Sequence, residues 1–216
     1  MRVIVTRPRA QAEPLAERLR ELGHEVVLCP LIEIEPLGDG SVEVEGYDWV
    51  VVTSANGADE LARRRKGRMP RLAAVGPGTA AALRGHGLEP ELVPAVSTQE
   101  GLLEELPRPA GRVLVAAAEG SRTLLADELG ADFVALYRTR LLRPAELPTG
   151  DLVVLASGSA ARAFSALELR IPVVSIGPQT TIAAEAAGLE VVAEAVTHDL
   201  DGLVAAVVSA RCSSPS

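Results

Sequence analysis

The segment Val75-Gly76-Pro77-Gly78-Thr79-Ala80 occurs a second time as Ile176-Gly177-Pro178-Gln179-Thr180-Thr181. In both copies a short apolar run ends in Gly-Pro and a helical pattern begins near a threonine. This order is typical of a turn from a β-strand into an α-helix. Such a turn directs backbone N–H groups and the positive end of a helix dipole toward one point, which suits an anion. The repetition therefore predicts two similar anion-binding turns in one chain.

A wider repeat surrounds these turns. Three pairs of segments match along the chain: 75–102 with 176–203, 49–56 with 152–159, and 2–5 with 112–115. Short apolar strand patterns alternate with helical patterns throughout, which favours parallel sheets covered by helices on both faces. We therefore predict an α/β fold made of two five-stranded, flavodoxin-like parallel-sheet domains.

Composition limits the classes of function. The 216 residues are 48% apolar, enough for two domains that each have a core. A net charge of −8 argues against binding to nucleic acids or membrane surfaces, and only 2% of the residues are aromatic, which disfavours base stacking. An anionic small molecule stays compatible, because a site can be locally positive.

Cysteine usage and the chain start predict the compartment. Cys29 and Cys212 lack the spacing of a metal site, and a structural disulfide between them is not expected. The N-terminus has no signal pattern, and no apolar segment reaches the length of a membrane span. We expect a cytoplasmic protein.

Ligands of doubly wound sheets bind beyond the carboxyl ends of the strands. The residues predicted there are mostly hydroxyl-bearing or small: Thr6, Arg7, Thr53, Ser54, Asn56, Gly76, Thr79, Glu119, Arg122, Tyr137, Ser157, Ser159, Gly177, Thr180 and Thr181. The set has no His-Cys cluster, carboxylate pair, Walker lysine or G-x-G-x-x-G loop. Metal-assisted hydrolysis, nucleophilic triads, P-loop chemistry and dinucleotide binding are therefore disfavoured.

Each of these residues also has an ordinary structural interpretation. A serine or threonine at a strand-to-helix turn is first a helix cap, worth about 1 kcal/mol. Asn56 fits a turn, and Arg7 fits a salt bridge. The basic run 63–66 fits a solvated helix end, and the three histidines, His24, His86 and His198, fit the surface.

Six motifs in order resemble the uroporphyrinogen-III synthase family from residue 2 to about residue 207. They are Val5-Thr6-Arg7-Pro8, Val52-Thr53-Ser54-Ala55-Asn56-Gly57, Val75-Gly76-x-x-Thr79-Ala80, Tyr137-Arg138-Thr139, Ala156-Ser157-Gly158-Ser159 and Ile176-Gly177-Pro178-x-Thr180. Three positions depart from the family pattern. Val52 stands where an aromatic is frequent, Ala156 where a hydroxyl residue is common, and Pro172 where some members have a basic residue, so that basic contact is not expected here.

The resemblance implies an enzyme that cyclises hydroxymethylbilane to uroporphyrinogen III, with loss of water and inversion of the last pyrrole ring, without metal or cofactor. It implies one domain from residues 1–34 with 145–216 and another from 38–140. A two-stranded ribbon, 31–37 against 139–145, would join them beside a cleft for the linear tetrapyrrole. We expect a monomeric lyase, in transient contact with hydroxymethylbilane synthase.

The resemblance also implies roles for single residues. Tyr137 would be catalytic, because a phenol can donate a proton to the departing hydroxyl. Residues expected to bind the substrate, which carries eight carboxylates, are Arg7, Ser54, Ala55, Asn56, Gly76, Thr79, Arg122, Ser157, Ser159, Gly177 and Thr180. Two alternatives stay open: a two-domain binding protein for an anionic metabolite without catalysis, and an inactive subunit of a larger complex.

Overall fold

The computed structural model describes the backbone of residues 1–212 and the side chains of residues 1–210. In the first half of the chain the elements are β1 (Arg2–Val5), α1 (Arg9–Glu21), β2 (Glu25–Leu28), β3 (Ile32–Pro36), β4 (Val42–Glu43), β5 (Trp49–Val52), α2 (Ala55–Arg64), β6 (Arg65–Lys66), β7 (Arg71–Ala74), α3 (Pro77–Gly85) and α4 (Gln99–Glu105). In the second half they are β8 (Val113–Ala118), α5 (Leu124–Leu129), β9 (Asp132–Leu141), β10 (Leu152–Leu155), α6 (Gly158–Ser165), β11 (Val173–Ser175), α7 (Pro178–Ala186), β12 (Val191–Glu194) and α8 (Leu200–Cys212).

Two compact units share the chain. Unit 1 consists of Met1–Glu33 and the chain from Arg140 onward, and unit 2 consists of Ile34–Thr139. Both divisions fall within strands, one in β3 and one in β9, and these two strands are neighbours in a sheet. Unit 2 is therefore an insertion between the two parts of unit 1.

Unit 1 contains a five-stranded parallel sheet in the order β12-β11-β10-β1-β2. Numbered within the unit this is the order 5-4-3-1-2, which is the flavodoxin-like order read from the other edge. Apolar side chains of α1 and α8 pack on one face, and those of α6 and α7 pack on the other. Residues Val3–Val5 of β1 and all of β10 are apolar and buried, as is typical of strands that helices cover on both faces.

Unit 2 contains a second five-stranded sheet in the order β3-β9-β8-β5-β7. Strands β7, β5, β8 and β9 are parallel. Hydrogen bonds from Leu142 N to Leu31 O and from Leu37 N to Leu136 O show that β3 runs antiparallel to β9. Helices α2 and α3 cover one face of this sheet, and α4 and α5 cover the other. The predicted α/β class with doubly covered sheets is confirmed in both units; the sheet of unit 1 is parallel, and that of unit 2 is parallel except for β3.

The sequence repeat corresponds to a structural repeat. The matched segments 49–56 and 152–159 form β5 and β10 with the turns that follow them, and both strands occupy interior positions of their sheets. The matched segments 2–5 and 112–115 contribute β1 and β8, which lie directly beside those strands. The two units thus share one arrangement of strands, but the chain enters it at different points.

One local feature of unit 2 differs from the prediction, and two others complete its description. Residues 36–46 include β4, which pairs with β6, because the basic run 63–66 leaves the helix at Arg65. Segment 31–37 pairs with 136–142 instead of 139–145, because β9 continues through Tyr137 to Leu141 without a break. Near Leu92 the chain forms a single parallel bridge to Ala73.

The histidine and C-terminal predictions also need correction. His24 is only 5% exposed, because it connects α1 directly to β2 and its backbone N–H bonds to Leu19 O. The sequence predicts that the last helix ends near residue 208 and that residues 209–216 form a tail. The helix instead continues to Cys212, and residues 213–216 of the predicted tail lie outside the described residues.

Candidate active site

Tyr137 is the most buried titratable group among the predicted site residues. Its side chain is 5% exposed and belongs to the same apolar cluster as its neighbour Leu136. Consecutive strand residues normally face opposite sides of a sheet. Here the ladder pairs Ala117 with Ala135 and then Ala118 with Tyr137, so a β-bulge inserts one residue into β9. Because of the bulge, the side chains of Leu136 and Tyr137 point to the same side of the sheet and pack in the same core.

The Tyr137 hydroxyl contacts the turn that connects β5 to α2. Its oxygen lies 2.8 Å from Ser54 Oγ. Ser54 is the N-cap of α2, and its Oγ accepts the Gly57 N–H at 3.0 Å. Burial raises the pKa of Tyr137, while hydrogen bonds with Ser54 and Asn56 oppose that rise. The phenol is therefore protonated at neutral pH and already in contact with groups that can stabilise its anion.

Helices α3 and α7, which follow the two repeated Gly-Pro turns, begin in the same way. Gly76 and Gly177 are their N-caps, a proline follows at the first helical position, and neither N-terminus has a side-chain cap. Thr79 and Thr180, expected at or near the caps, are the third helical residues and are 6% and 5% exposed. Their hydroxyls do not cap these helices. By contrast, Ser54, Thr98 and Ser157 cap α2, α4 and α6 through their hydroxyls.

The guanidinium of Arg7, which directly follows β1 in unit 1, has few partners for its N–H groups. Its Nε is buried without a hydrogen-bond partner, and its Nη2 donates to Gln11 Oε1 at a long 3.4 Å. Burial lowers the pKa of Arg7. Among the described residues no carboxylate forms an ion pair with it, so the salt bridge considered from the sequence is not formed. This site can accept an external carboxylate.

Arg122, in contrast, is already paired. It donates to both carboxylate oxygens of Glu100, at 2.5 and 3.2 Å, and this interaction lowers the Glu100 pKa to about 2. Glu100 therefore neutralises the charge of Arg122, and both side chains are exposed. Ala55 is exposed and offers only its backbone. For these two residues the structure gives less support for substrate binding than it gives for Arg7.

The remaining predicted residues have local partners. Ser157 accepts the Ala160 N–H at 3.2 Å as the cap of α6, and Ser159 accepts from Arg162 at 3.2 Å. Thr6 is fully buried and donates to Val154 O at 2.8 Å, which ties β1 to β10.

The structure brings the predicted residues together within each unit. In unit 1, Arg7, Ser157 and Gly177 follow β1, β10 and β11, three adjacent strands. In unit 2, Gly76 and Ser54 follow β7 and β5, and Tyr137 is level with the end of β8. All of them lie at the carboxyl edge of their own sheet, where ligands bind in this class of fold.

One neighbour of the second Gly-Pro turn was missed by the sequence reasoning. His198 is half-buried, and a Cβ placed on Gly177 would lie 2.7 Å from its ring. The equivalent neighbour of Gly76 is Ser97. The gap-free match of 75–102 with 176–203 places Ser97 and His198 at the same repeat position, and that signal could have identified the histidine.

No group of three or more His, Cys, Asp or Glu side chains in residues 1–210 is arranged to hold a metal ion. None of the helices described is both long and apolar enough to span a bilayer.

Comparison with known proteins identifies relatives over most of the chain. Residues 13–205 match the protein family described as Uroporphyrinogen-III synthase HemD. A protein of Methanocaldococcus jannaschii is 28% identical over 149 residues, which are 64% of this chain and 62% of that protein. The uroporphyrinogen-III synthase of Synechococcus elongatus is 27% identical over 246 residues, covering 95% of this chain and 93% of that protein.

A solved structure has the same fold. A mutant uroporphyrinogen III synthase from the extremely thermophilic bacterium Thermus thermophilus superimposes with a TM-score of 0.66 and 18% identity, over 99% of this chain and 100% of that one. At this identity the likeness supports the fold, and it agrees with the α/β architecture described above.

Proposed function

Because this chain belongs to the uroporphyrinogen-III synthase family, we propose that it cyclises hydroxymethylbilane to uroporphyrinogen III, with loss of water and inversion of ring D. This is a lyase reaction of tetrapyrrole biosynthesis. The observation that supports a role for a particular residue is the burial of Tyr137, whose hydroxyl lies 2.8 Å from Ser54 Oγ at the carboxyl edge of the unit 2 sheet. The reaction needs one proton donor for the departing hydroxyl, and we assign that role to this phenol.

The substrate's carboxylates need cationic groups and free N–H groups. Arg7 supplies a partly buried guanidinium that has no carboxylate partner in the described chain. The glycine-capped starts of α3 and α7 supply backbone N–H groups that no side chain caps. We assign Arg7, Gly177 and Thr180 in unit 1, and Gly76 and Thr79 in unit 2, to binding of acetate and propionate arms.

Tyr137 acts on the hydroxymethyl group of the substrate. The C–O bond breaks as the phenol transfers its proton to the leaving oxygen, and water departs. The electron-rich pyrrole stabilises the cation that forms. A carbon of the last ring then attacks it to form a C–C bond, and the proton that this ring loses from its unsubstituted carbon when closure is complete can return to the phenolate. Tyr137 therefore donates one proton and regains one proton in each turnover.

The remaining task is to select the inverted product. Hydroxymethylbilane also closes without help, and that closure gives the type-I isomer. The protein must therefore hold the four rings so that the substituted carbon of the last ring attacks the cation first, which gives a spiro intermediate. The bond from that carbon to its original methylene bridge then breaks, and the methylene cation so released is attacked by the unsubstituted carbon of the same ring, which inverts the ring. Orientation by several fixed anion contacts is the main contribution.

The experiment is incubation of the purified protein with freshly made hydroxymethylbilane, followed by chromatographic separation of the product isomers. We expect predominantly the type-III isomer, at a rate proportional to protein concentration. A product that is entirely type I, as in buffer, would contradict the enzyme assignment. If the protein then still bound hydroxymethylbilane saturably, it would be a binding protein for an anionic metabolite.

We also propose that units 1 and 2 are the two domains that the family resemblance implies, and that the protein works in the cytoplasm as a monomer. Transient contact with hydroxymethylbilane synthase would deliver the unstable substrate directly. Light scattering during gel filtration measures the oligomeric state. Competition by added free substrate in a coupled assay measures the direct delivery.

A further inference from the structure

We propose that Ser54, together with Asn56, positions the Tyr137 proton by donating hydrogen bonds to the phenolic oxygen. In this arrangement the Tyr137 O–H points away from Ser54 and is available to the substrate. The sequence motif suggested that Ser54 and Asn56 bind substrate, and the geometry instead points to an action through Tyr137. The inference rests on the proposed function, in which Tyr137 is the proton donor.

The hydrogen-bond inventory of Ser54 favours this direction. A serine hydroxyl has one proton to donate and two lone pairs to accept with. The Gly57 N–H, 3.0 Å from Oγ, takes one lone pair. If Tyr137 donated to Ser54, its proton would be used and the Ser54 proton would lose Tyr137 as its acceptor. If Ser54 donates across the 2.8 Å contact, both hydroxyl protons serve a purpose and the phenol proton stays free.

Asn56 acts in the same direction. Its side-chain hydrogen bond with Tyr137 favours the anionic form of the phenol, as an amide N–H donated to the oxygen does. Ser54 and Asn56 can therefore occupy both lone pairs of the phenolic oxygen.

These donors matter most after the proton has been transferred. Tyr137 is 5% exposed and packs in an apolar cluster, where an unsolvated phenolate is costly. Two donors already in place stabilise that anion without any rearrangement. Ser54 and Asn56 thus lower the barrier to proton transfer although they need not touch the substrate.

The internal repeat supplies a matched control. Ser157 follows β10 as Ser54 follows β5, and it caps α6 through the Ala160 N–H at 3.2 Å. The sequence contains two tyrosines, Tyr47 and Tyr137, and both are in unit 2. Ser157 therefore performs the capping role alone. Capping does not require the tyrosine contact, so the contact of Ser54 is an additional property.

The test measures the ionisation of Tyr137 directly. A Tyr47→Phe background leaves Tyr137 as the only tyrosine, and its ionisation is followed by the ultraviolet absorbance of tyrosinate. We expect Ser54→Ala to raise the Tyr137 pKa by about one unit, since one donor to the anion is lost. Ser157→Ala, which removes an equivalent cap, should leave the Tyr137 pKa unchanged. Ser54→Thr, which keeps a hydroxyl, should restore it.

Kinetics of the full-length protein supply the second measurement. Ser54→Ala should lower kcat about tenfold with a smaller change in KM, and it should have little further effect in a Tyr137→Phe background. If Tyr47→Phe does not fold, the two tyrosines of the otherwise native chain are resolved by NMR of carbon-labelled tyrosine.

The outcomes separate this inference from the proposed function. An active wild-type protein in which Ser54→Ala leaves the Tyr137 pKa unchanged, or shifts it no more than Ser157→Ala does, overturns the inference alone. A wild-type protein that makes only the type-I isomer overturns the proposed function, and the positioning role with it.

Discussion

At the scale of single residues, two groups stand out because their surroundings oppose their ionised forms. Tyr137 is protonated in an apolar cluster, and Arg7 is charged with a buried, unpartnered Nε. Elsewhere in the described chain most arginine contacts are surface ion pairs with acids, such as Arg84 with Glu89. Polar groups kept in unfavourable surroundings are candidates for function, since folding alone would not select them.

Tyr137→Phe should lower kcat by about 100-fold while KM changes little, because the loss of a proton donor affects the transition state more than substrate binding. Steady-state formation of the type-III isomer measures both constants. Tyr47→Phe serves as the control, because its hydroxyl bonds to Asp132, outside the proposed site. An unchanged kcat in Tyr137→Phe would remove this phenol from the mechanism.

Arg7→Gln should raise KM about tenfold or more, because a charge-assisted contact to a carboxylate is worth roughly 1.5–3 kcal/mol. The free energy of unfolding should not fall, since the lost charge is partly desolvated and has no carboxylate partner in the described chain. Arg20→Gln is the control: it removes one positive charge from the nearby helix α1, where Arg20 pairs with Glu13 at 2.5 Å. Equal KM values for the two variants would exclude Arg7 from binding.

At the scale of elements, the N-terminus of each helix determines whether the adjacent edge of the sheet offers free backbone N–H groups to a ligand. Three of the helices have hydroxyl caps, whereas α3 and α7 have glycine caps that leave N–H groups unsatisfied by side chains. The repeat in the sequence predicted that α3 and α7 begin alike. It did not show that Thr79 and Thr180 would be buried inside the first turn.

Helix-start glycines give an element-scale prediction. In helices, Ala is usually preferred over Gly by up to about 1 kcal/mol. A Cβ on Gly101 would lie 2.2 Å from Val96 O, and one on Gly202 would lie 1.9 Å from Thr197 O. Gly101→Ala and Gly202→Ala should therefore lower the free energy of unfolding by about 2 kcal/mol or more, because backbone must move.

Gly85→Ala is the matched control for these two variants. Gly85 ends α3, and a Cβ there would have no atom within 4 Å. This variant should be neutral or slightly stabilising. Denaturant titrations of the three variants measure the differences. Stabilisation by Gly101→Ala would show that the preceding loop moves freely.

The limits of sequence reasoning follow from the range of each interaction. Apolar runs such as Val50–Val52 and the repeat predicted parallel sheets, because those signals are local or periodic. The contact of Ser54 with Tyr137 joins residues 83 positions apart. The Arg122–Glu100 pair likewise joins two different parts of the chain and depends on tertiary placement, which no local pattern contains.

At the scale of the whole molecule, each apolar cluster lies within a single unit. Trp49 and both tyrosines belong to unit 2, so tryptophan fluorescence reports that unit alone. We expect denaturant unfolding followed by fluorescence and by far-ultraviolet circular dichroism to give different midpoints, because the dichroism also reports unit 1.

A second probe makes that expectation decisive. Phe164 is fully buried in unit 1, so Phe164→Trp in a Trp49→Phe background moves the fluorophore to the other unit. The fluorescence midpoint should move with it. Superimposable curves for both fluorophores and for dichroism would mean that the two units unfold as one.

The insertion of unit 2 into unit 1 has a consequence for protein synthesis. The ribosome releases β1, α1 and β2 first, but β1 lies between β2 and β10, and β10 begins only at Leu152. All strands of unit 2 except the shared end of β9 are translated before Arg140, so the inserted unit can fold first. A nascent chain that has emerged from the ribosome only as far as Leu152 would therefore carry a folded unit 2 and an earlier segment that lacks three of its five strands. Until they emerge, Val3–Val5 would be a natural target for a nascent-chain chaperone.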